Sequence, residues 1–187
     1  MKTTLRRTVA AILAVAAVPF LTLAAPAPAF AAERQPIQGL LGADFGMDLQ
    51  SVRTAVEAGG LTRISAQAED GDTLLSGVLE ADGIARTVLF VFPANRDRLA
   101  LIIEFHDDTT RALALEEALT ARYGAPIDED GTKVMREQLG DQLPEGLEDL
   151  RVWADKVNGA DRLARLMTFP NYVAVEYIDS TLLNALN

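Results

Sequence analysis

Residues 98–106 alternate between apolar and polar or small side chains more regularly than any other part of the chain. A period of two residues is typical of a β-strand that buries one face. The apolar side of this segment consists of Leu99, Leu101, Ile103 and Phe105. Six further segments have strand character, at 61–68, 74–81, 85–92, 150–157, 162–169 and 172–178. Turn-forming clusters such as Glu69-Asp70-Gly71-Asp72 separate neighbouring segments, which predicts antiparallel hairpins.

Two longer segments show helical spacing instead. In the first, Leu49, Val52 and Val56 fall on one face, Asp48 is the predicted N-cap, and Gly59-Gly60 ends the helix. The second is predicted to begin at Asp107-Asp108-Thr109 and to end at Gly124, with Pro126 just beyond. Its apolar stripe is formed by Ala112, Leu115, Leu119 and Tyr123. Shorter helices are predicted at 132–139 and 180–186.

The predicted order is helix, four strands, helix, three strands and a small last helix. Strands joined by hairpins and helices kept apart from them are typical of the α+β class. We therefore predict one α+β domain at 44–187, with two main helices on one face of an antiparallel meander sheet of about seven strands. Residues 32–43 are predicted to be a flexible lead-in to this domain.

The first 31 residues have the three parts of a secretory signal peptide. Lys2 and Arg6-Arg7 give a cationic start, an apolar run follows from Val9 to Ala25, and Ala29-Phe30-Ala31 provides a small-x-small cleavage site. The apolar run is short for a membrane span, and Pro19 interrupts it. We expect cleavage after Ala31, a periplasmic or extracellular location, and no stable membrane insertion afterwards. Arg6-Arg7 leaves the twin-arginine route open beside ordinary unfolded export.

Composition narrows the classes of function. The chain contains no cysteine, which excludes disulfides and a lipid anchor on a thiol, so the fold depends on its apolar core. Its formal net charge is −10, and cleavage would remove Lys2, Arg6 and Arg7 without removing an acid. An acidic surface repels phosphate backbones and anionic headgroups, which argues against nucleic-acid and membrane-surface roles. The same charge also serves to keep an exported protein in solution.

Candidate chemistry is sparse. His106 is the only histidine and precedes Asp107 and Asp108, so a hydrolytic centre or a metal site there is one hypothesis. Adjacent residues on an extended chain point in opposite directions, and no serine lies in a G-x-S-x-G pattern. The alternative interpretation, which we favour, is that His106 ends a strand and the two aspartates begin a helix. We therefore predict no catalytic residue, no cofactor and no enzymatic activity.

Two acidic loops resemble fragments of calcium sites. Residues 128–131 and Glu137 match several positions of an EF-hand loop, but Pro126 occupies the first ligand position and has no side-chain oxygen. The loop at 69–72 is shorter still. Solvated turns are the favoured interpretation, with no metal predicted, while binding of a small molecule or metal by these loops is the second functional hypothesis.

Trp153 is the residue predicted to matter most for recognition. On strand 150–157 it shares a face with Arg151 and Asp155, and an exposed tryptophan among charged neighbours is typical of a binding hot spot. The alternative is a tryptophan packed beneath a helix with its N–H satisfied. Trp153 and Arg151 are the predicted partner-binding residues.

The chain resembles small exported bacterial α+β proteins of unknown function. The resemblance rests on Phe45-Gly46-Met47 opening the first helix, on Tyr123-Gly124-Ala125-Pro126 ending the second, and on a later strand that bears Trp153. The layout is also similar to β-lactamase-inhibitor-protein-like and outer-membrane-assembly-lipoprotein-like folds over residues 44–178. The lipoproteins carry an anchoring cysteine that this chain lacks. The resemblance implies a non-enzymatic interaction domain whose partner is a protein or another component of the cell envelope.

Overall fold

A computed structural model describes residues 34–81, 83–94, 96–140 and 143–184. The predicted signal peptide at 1–31 lies outside the described residues. The helices are α1 (Leu49–Ala58), α2 (Ala112–Tyr123), α3 (Glu129–Leu139) and α4 (Ser180–Asn184), and a single 3₁₀ turn (Thr109–Arg111) leads into α2. The strands are β1 (Gly39–Leu40), β2 (Ala43–Asp44), β3 (Leu61–Glu69), β4 (Asp72–Ala81), β5 (Ile84–Phe92), β6 (Leu101–His106), β7 (Asp149–Val157), β8 (Ala160–Phe169) and β9 (Tyr172–Asp179).

The main sheet has seven strands in the order β3-β4-β5-β6-β9-β8-β7, and every neighbouring pair is antiparallel. Strands β3 to β6 follow one another from one edge of the sheet to its centre, and β7 to β9 follow one another from the other edge to the centre. The two sets meet where β6 pairs with β9, for example Ile103 with Glu176. This arrangement confirms the predicted α+β class, the number of main strands and their antiparallel pairing.

Side chains on opposite faces of the sheet form two apolar clusters. The first face carries Phe90, Ile102, Val175 and Trp153, and α1 and α2 pack on it through Val52, Val56, Leu119 and Tyr123. The second face carries Leu89, Ile103, Met167 and Val152, and α3 packs on it through Met135 and Leu139. The two main helices therefore share a face, as predicted, and α3 adds a layer on the other side.

Local capping determines where the helices begin. The Asp48 carboxylate accepts a hydrogen bond from the Ser51 N–H at 2.8 Å and caps α1, as the sequence predicts. The Asp128 carboxylate accepts from the Gly131 N–H at 2.8 Å, which starts α3 at Glu129 rather than at the predicted residue 132. Two acids in its first turn, Glu129 and Asp130, favour this earlier start because they face the positive end of the helix dipole.

The segment that the sequence predicts to be a flexible lead-in is part of the folded unit from Arg34 onward. Ile37 and Ala43 are buried in the first cluster, and β1 and β2 form a small ladder. The Gln35 N–H donates to the Arg122 carbonyl at 3.0 Å, and the Ile37 N–H donates to the Asp155 carboxylate at 3.3 Å. We call residues 34–45 the N-terminal strap. The domain thus starts before the predicted position 44.

Within the described ranges, no helix is both long enough and apolar enough to cross a membrane.

Candidate functional site

Trp153 is completely buried, with 0% of its surface exposed. Its ring packs in the first cluster with Leu119 and Tyr123 of α2, and its indole N–H donates to the Gly124 carbonyl at 2.9 Å. The premise that Trp153 is an exposed anchor is therefore wrong. The alternative interpretation, a tryptophan beneath a helix with a satisfied N–H, describes its position.

Arg151 lies on the same face as Trp153, as its spacing predicts, and is half-buried. Its guanidinium lies 3.5 Å from the Glu116 carboxylate on α2 and 3.4 Å from the Asp149 carboxylate on its own strand. The ion pair with Glu116 attaches the edge strand β7 to α2. The role of Trp153 and Arg151 in binding a partner stays a prediction, and Arg151 is the member of the pair that reaches solvent.

His106 is buried at the end of β6 on the first face, with 2% exposure. In the part of the chain that the structure describes, neither ring nitrogen has a hydrogen-bond partner. The Asp108 carboxylate instead accepts from the N–H and the hydroxyl of Thr110 and caps the 3₁₀ turn. No hydrogen bond therefore joins His106 to either neighbouring aspartate as a base–orienter pair would require.

A polar cluster lies next to His106 on the same face. Glu104 is buried, its carboxylate lies 2.9 Å from the Arg86 guanidinium, and it accepts a hydrogen bond from the Tyr177 hydroxyl at 3.0 Å. Burial raises the pKa of Glu104, and the Arg86 charge partly offsets that rise. The rings of Tyr177 and Tyr123 meet edge to face at 6.4 Å. The Glu104 carboxylate is thus bound by groups of the sheet itself, and the Tyr177 ring contacts α2 through Tyr123.

The acidic loops act as turns and caps. Asp70 and Gly71 take positive φ values of 52° and 92° in the connection between β3 and β4. The Asp72 carboxylate accepts from the Ala94 N–H at 2.8 Å, and Asp128 caps α3 as described above. Among the described residues, no group of three or more His, Asp or Glu side chains is arranged to hold a metal ion.

A cleft of about 340 Å³ lies beside the strap, between Arg34, Pro36, Tyr123 and the end of β7 at residues 154–158. Two of its charged side chains are engaged within the chain. The Arg34 guanidinium donates to the Tyr123 carbonyl at 2.6 Å, and the Asp155 carboxylate accepts from the Ile37 and Lys156 N–H groups. The cleft therefore serves mainly as the seat of the strap.

The second face of the sheet is more open near the β3 edge, on β3 itself and on the adjoining parts of β4 and β5, whereas Leu74, Leu89 and Val91 on the same face are buried in the second cluster. We call this surface the open face. Its residues are exposed or half-buried: Thr62, Ser65, Gln67, Ser76, Val78 and Thr87. The Ser65 and Ser76 hydroxyls lie 3.0 Å apart, and the Thr62 hydroxyl donates to the Val78 carbonyl at 3.0 Å. The open face is thus rich in hydroxyl groups, and three of them are held by hydrogen bonds within the face.

Tyr172 borders the open face. A row of cross-strand pairs leads toward it, from Val78 to Thr87 and from Thr87 to Phe105, and the Phe105 ring lies 6.1 Å from the Tyr172 ring. On its other side Tyr172 stacks on Phe169 at 4.4 Å. Among the aromatic residues that the structure describes, Tyr172 is the only one that is not buried. The Tyr172 ring is thus held between two other aromatic rings while part of it reaches solvent.

Sequence reasoning missed Tyr172, although one signal was present. Tyr172 follows the turn at Pro170-Asn171 and starts a strand, a position where one end of a side chain reaches solvent. The chain matches no protein-family model, no curated protein and no solved structure. The likeness to β-lactamase-inhibitor-protein-like and lipoprotein-like folds therefore stays a prediction.

Proposed function

We propose that this chain is an exported, non-catalytic binding domain that recognises another protein through its open face, with Tyr172 as the anchor. The observation that carries the proposal is the position of Tyr172, the described aromatic residue that is not buried and that lies next to the open face. Tyrosine is enriched at binding hot spots because it supplies a large contact area at low entropic cost and a hydroxyl at the rim.

The chemistry of the open face favours a protein over other partners. Its hydroxyl and amide groups offer hydrogen bonds, while Val78 and Tyr172 offer apolar contact, the mixture that is common in protein interfaces. Basic residues do not dominate it, and the chain carries a net charge of −10, so a nucleic acid or an anionic membrane is a poor fit. The signal-like residues 1–31 support a partner in the periplasm or outside the cell.

Site-specific crosslinking tests the proposal, since the chain has no cysteine of its own. Thr87→Cys places a single thiol on the open face, on the side nearest Tyr172, and Ala118→Cys places one on the exposed side of α2 as the matched control. After labelling with a photoactivatable thiol reagent and illumination in the cell envelope of the producing organism, we expect an adduct with one partner from position 87 only. Mass spectrometry of the adduct separates a foreign partner from a second copy of this chain.

Tyr172→Ala, added to Thr87→Cys, should lower the adduct yield about tenfold, because truncating an aromatic anchor costs at least ~1–2 kcal/mol of binding energy. Leu113→Ala is the control, since Leu113 is 67% exposed on α2 and lies on the other side of the sheet. Equal adducts from positions 87 and 118, or an undiminished yield with Tyr172→Ala, would refute the proposal.

A further inference from the structure

Three charged side chains form a row across strands β7, β8 and β9. Cross-strand pairing places Asp155 opposite Arg162, and Arg162 opposite Asp179. The Arg162 Nε atom donates to the Asp179 carboxylate at 3.1 Å, and the two side chains expose only 13% and 3% of their surfaces. Such a pair is costly to break, because losing one partner leaves the other charge buried and unpaired.

The Arg162 guanidinium also holds the N-terminal strap. Its Nη1 group donates to the Ile37 carbonyl at 3.1 Å, while the Ile37 N–H donates to the Asp155 carboxylate at 3.3 Å. The same guanidinium lies over the Phe45 ring, 5.2 Å from the ring centroid. Arg162 therefore contacts the strap at two separate points.

The Asp179 carboxylate holds α4 in the same way. One of its oxygens accepts from Arg162, and the other accepts from the Leu182 N–H at 3.0 Å, the bond of a helix N-cap. Leu183 of α4 is buried in the second cluster, and Leu182 packs against both clusters. Helix α4 therefore adds apolar cover to both faces of the sheet.

We propose that the Arg162–Asp179 pair is a latch that makes the strap and α4 open and close as one unit. Each side chain of the pair spends part of its bonding capacity on its partner and part on one segment, so removing either segment leaves a buried group unsatisfied. Arginine suits this role because its planar guanidinium donates in several directions at once. The coupling is reciprocal, so a partner that draws the strap from its seat also frees α4.

The alternative is that the two segments dock independently. Each has contacts of its own, since the Gln35 N–H donates to the Arg122 carbonyl and the Ser180 hydroxyl donates to the Asp161 carbonyl at 2.7 Å. Amide hydrogen exchange separates the two cases, because a local opening responds only to changes within the unit that opens. Independent segments predict that weakening one leaves exchange in the other unchanged.

Changes in one segment should be felt in the other. Phe45→Leu removes the ring beneath the guanidinium and should speed exchange of the Leu182 amide about tenfold. In the reverse direction, Leu183→Ala should speed exchange of the Ile37 amide by at least about tenfold. Leu74→Ala is the matched control, because Leu74 is equally buried in the second cluster but lies on β4. It should leave both amides at their original rates.

Removing the latch should abolish this communication. Asp179→Asn removes the charge that binds Arg162 but keeps an oxygen for the Leu182 N–H. In this background, adding Phe45→Leu should no longer change the exchange of the Leu182 amide. Lys156→Ala is the control background, since it breaks another ion pair between β7 and β8 that holds neither segment. There the effect of Phe45→Leu should persist.

Arg162→Lys is a second latch variant, and thermal unfolding reports whether each variant is folded. A single ammonium cannot replace two guanidinium nitrogens that bind the Ile37 carbonyl and Asp179 at once, so Arg162→Lys should also abolish communication. An unchanged Leu182 amide in Phe45→Leu, or an effect that survives in both latch backgrounds, would overturn the proposal. None of these readouts needs a binding partner, so the proposal is independent of the binding function above.

Discussion

His106 shows at the scale of one residue how burial changes chemistry. Burial is the largest cause that lowers its pKa from 6.5 to about 4, and the charges of Arg86 and Arg111 add to the shift while Asp107 opposes it. Between pH 6.5 and pH 4 the unfolded chain therefore binds a proton at His106 that the folded chain does not. The free energy of unfolding must fall as the pH falls through this window.

We predict that His106→Gln removes this pH dependence. A shift of this size corresponds to about 3 kcal/mol of stability at pH 7 that is lost by pH 4. Urea unfolding at pH 7 and at pH 4 gives the free energy of unfolding at each pH. Between the two, the unmodified chain should lose about this much more free energy of unfolding than the variant does. Glu104 and Glu176, whose pKa values burial raises, act in the opposite direction in both proteins, so they largely cancel in the comparison. Equal losses in the two proteins would contradict the prediction.

The alternation of residue types along a strand predicted correctly which way a side chain points, but it did not predict whether that side chain is exposed to solvent. The alternation of β7 correctly puts Arg151, Trp153 and Asp155 on one face. Whether that face is exposed to solvent depends on whether α2 covers it. The Gly124 carbonyl at the end of α2 accepts a hydrogen bond from the Trp153 indole N–H, and the two residues are 29 positions apart in the sequence. The same limit explains why Tyr172 was missed, since its partial exposure depends on tertiary packing, in which Phe105 of β6 covers one side of its ring.

At the scale of helices and strands, local signals predicted boundaries well because caps and turns act within a few residues. Asp48 begins α1 and Gly124 ends α2 as the sequence indicates. Strand β6 shows where such reasoning stops. Its alternation predicts one polar face, whereas all six of its residues are buried. The charge of Glu104 is accommodated by Arg86 and by Tyr177, which is 73 residues away, so adjacent sequence does not reveal it.

The buried pair Arg165–Glu176 joins β8 to β9 and gives the prediction for this scale. The Arg165 guanidinium donates to the Glu176 carboxylate at 2.8 Å, and Glu176 is completely buried. We expect Glu176→Ala to lower the free energy of unfolding by about 3–5 kcal/mol, because it leaves the arginine charge buried and unpaired. The double variant Arg165→Met/Glu176→Leu should recover most of that loss, since packed apolar side chains replace such pairs at little cost.

An exposed pair provides the control. Lys156 and Asp161 lie opposite each other on β7 and β8 with 3.4 Å between their charged atoms, and the Lys156 side chain is 68% exposed. Lys156→Ala should change the free energy of unfolding by less than about 1 kcal/mol, because water screens the pair. Guanidinium unfolding of the four proteins checks both expectations. A double variant no more stable than Glu176→Ala would show that the pair is not the source of the loss.

At the scale of the whole molecule, the order of elements and the α+β class follow from the sequence, but the extent of the domain does not. Residues 34–43 have the mixed composition of a linker, and only their contacts reveal them as structure. The strap is attached to the C-terminal set of strands, because Ile37 is bonded through its N–H to Asp155 on β7 and through its carbonyl to Arg162 on β8 at 3.1 Å. Contacts that far apart in sequence leave no local pattern.

We predict that Ile37→Ala destabilises the domain by about 2–5 kcal/mol, the usual cost of truncating a buried isoleucine. The neighbouring Gln38→Ala should have an effect of less than about 0.5 kcal/mol, because the Gln38 side chain is exposed. Denaturant midpoints of the two variants measure the difference. A chain that tolerates Ile37→Ala as well as Gln38→Ala would show that the strap contributes nothing to stability.

The long-range bonding of the strap also dictates a sequence of events during biosynthesis. In a chain that emerges from its N-terminus, Ile37 appears well over a hundred residues before the arginine that binds its carbonyl, and β6 must likewise wait for β9. Forming such distant contacts requires most of the polypeptide to be present, which slows folding. During synthesis, therefore, neither the strap nor β6 can complete its native hydrogen bonds until the hairpin of β8 and β9 has formed.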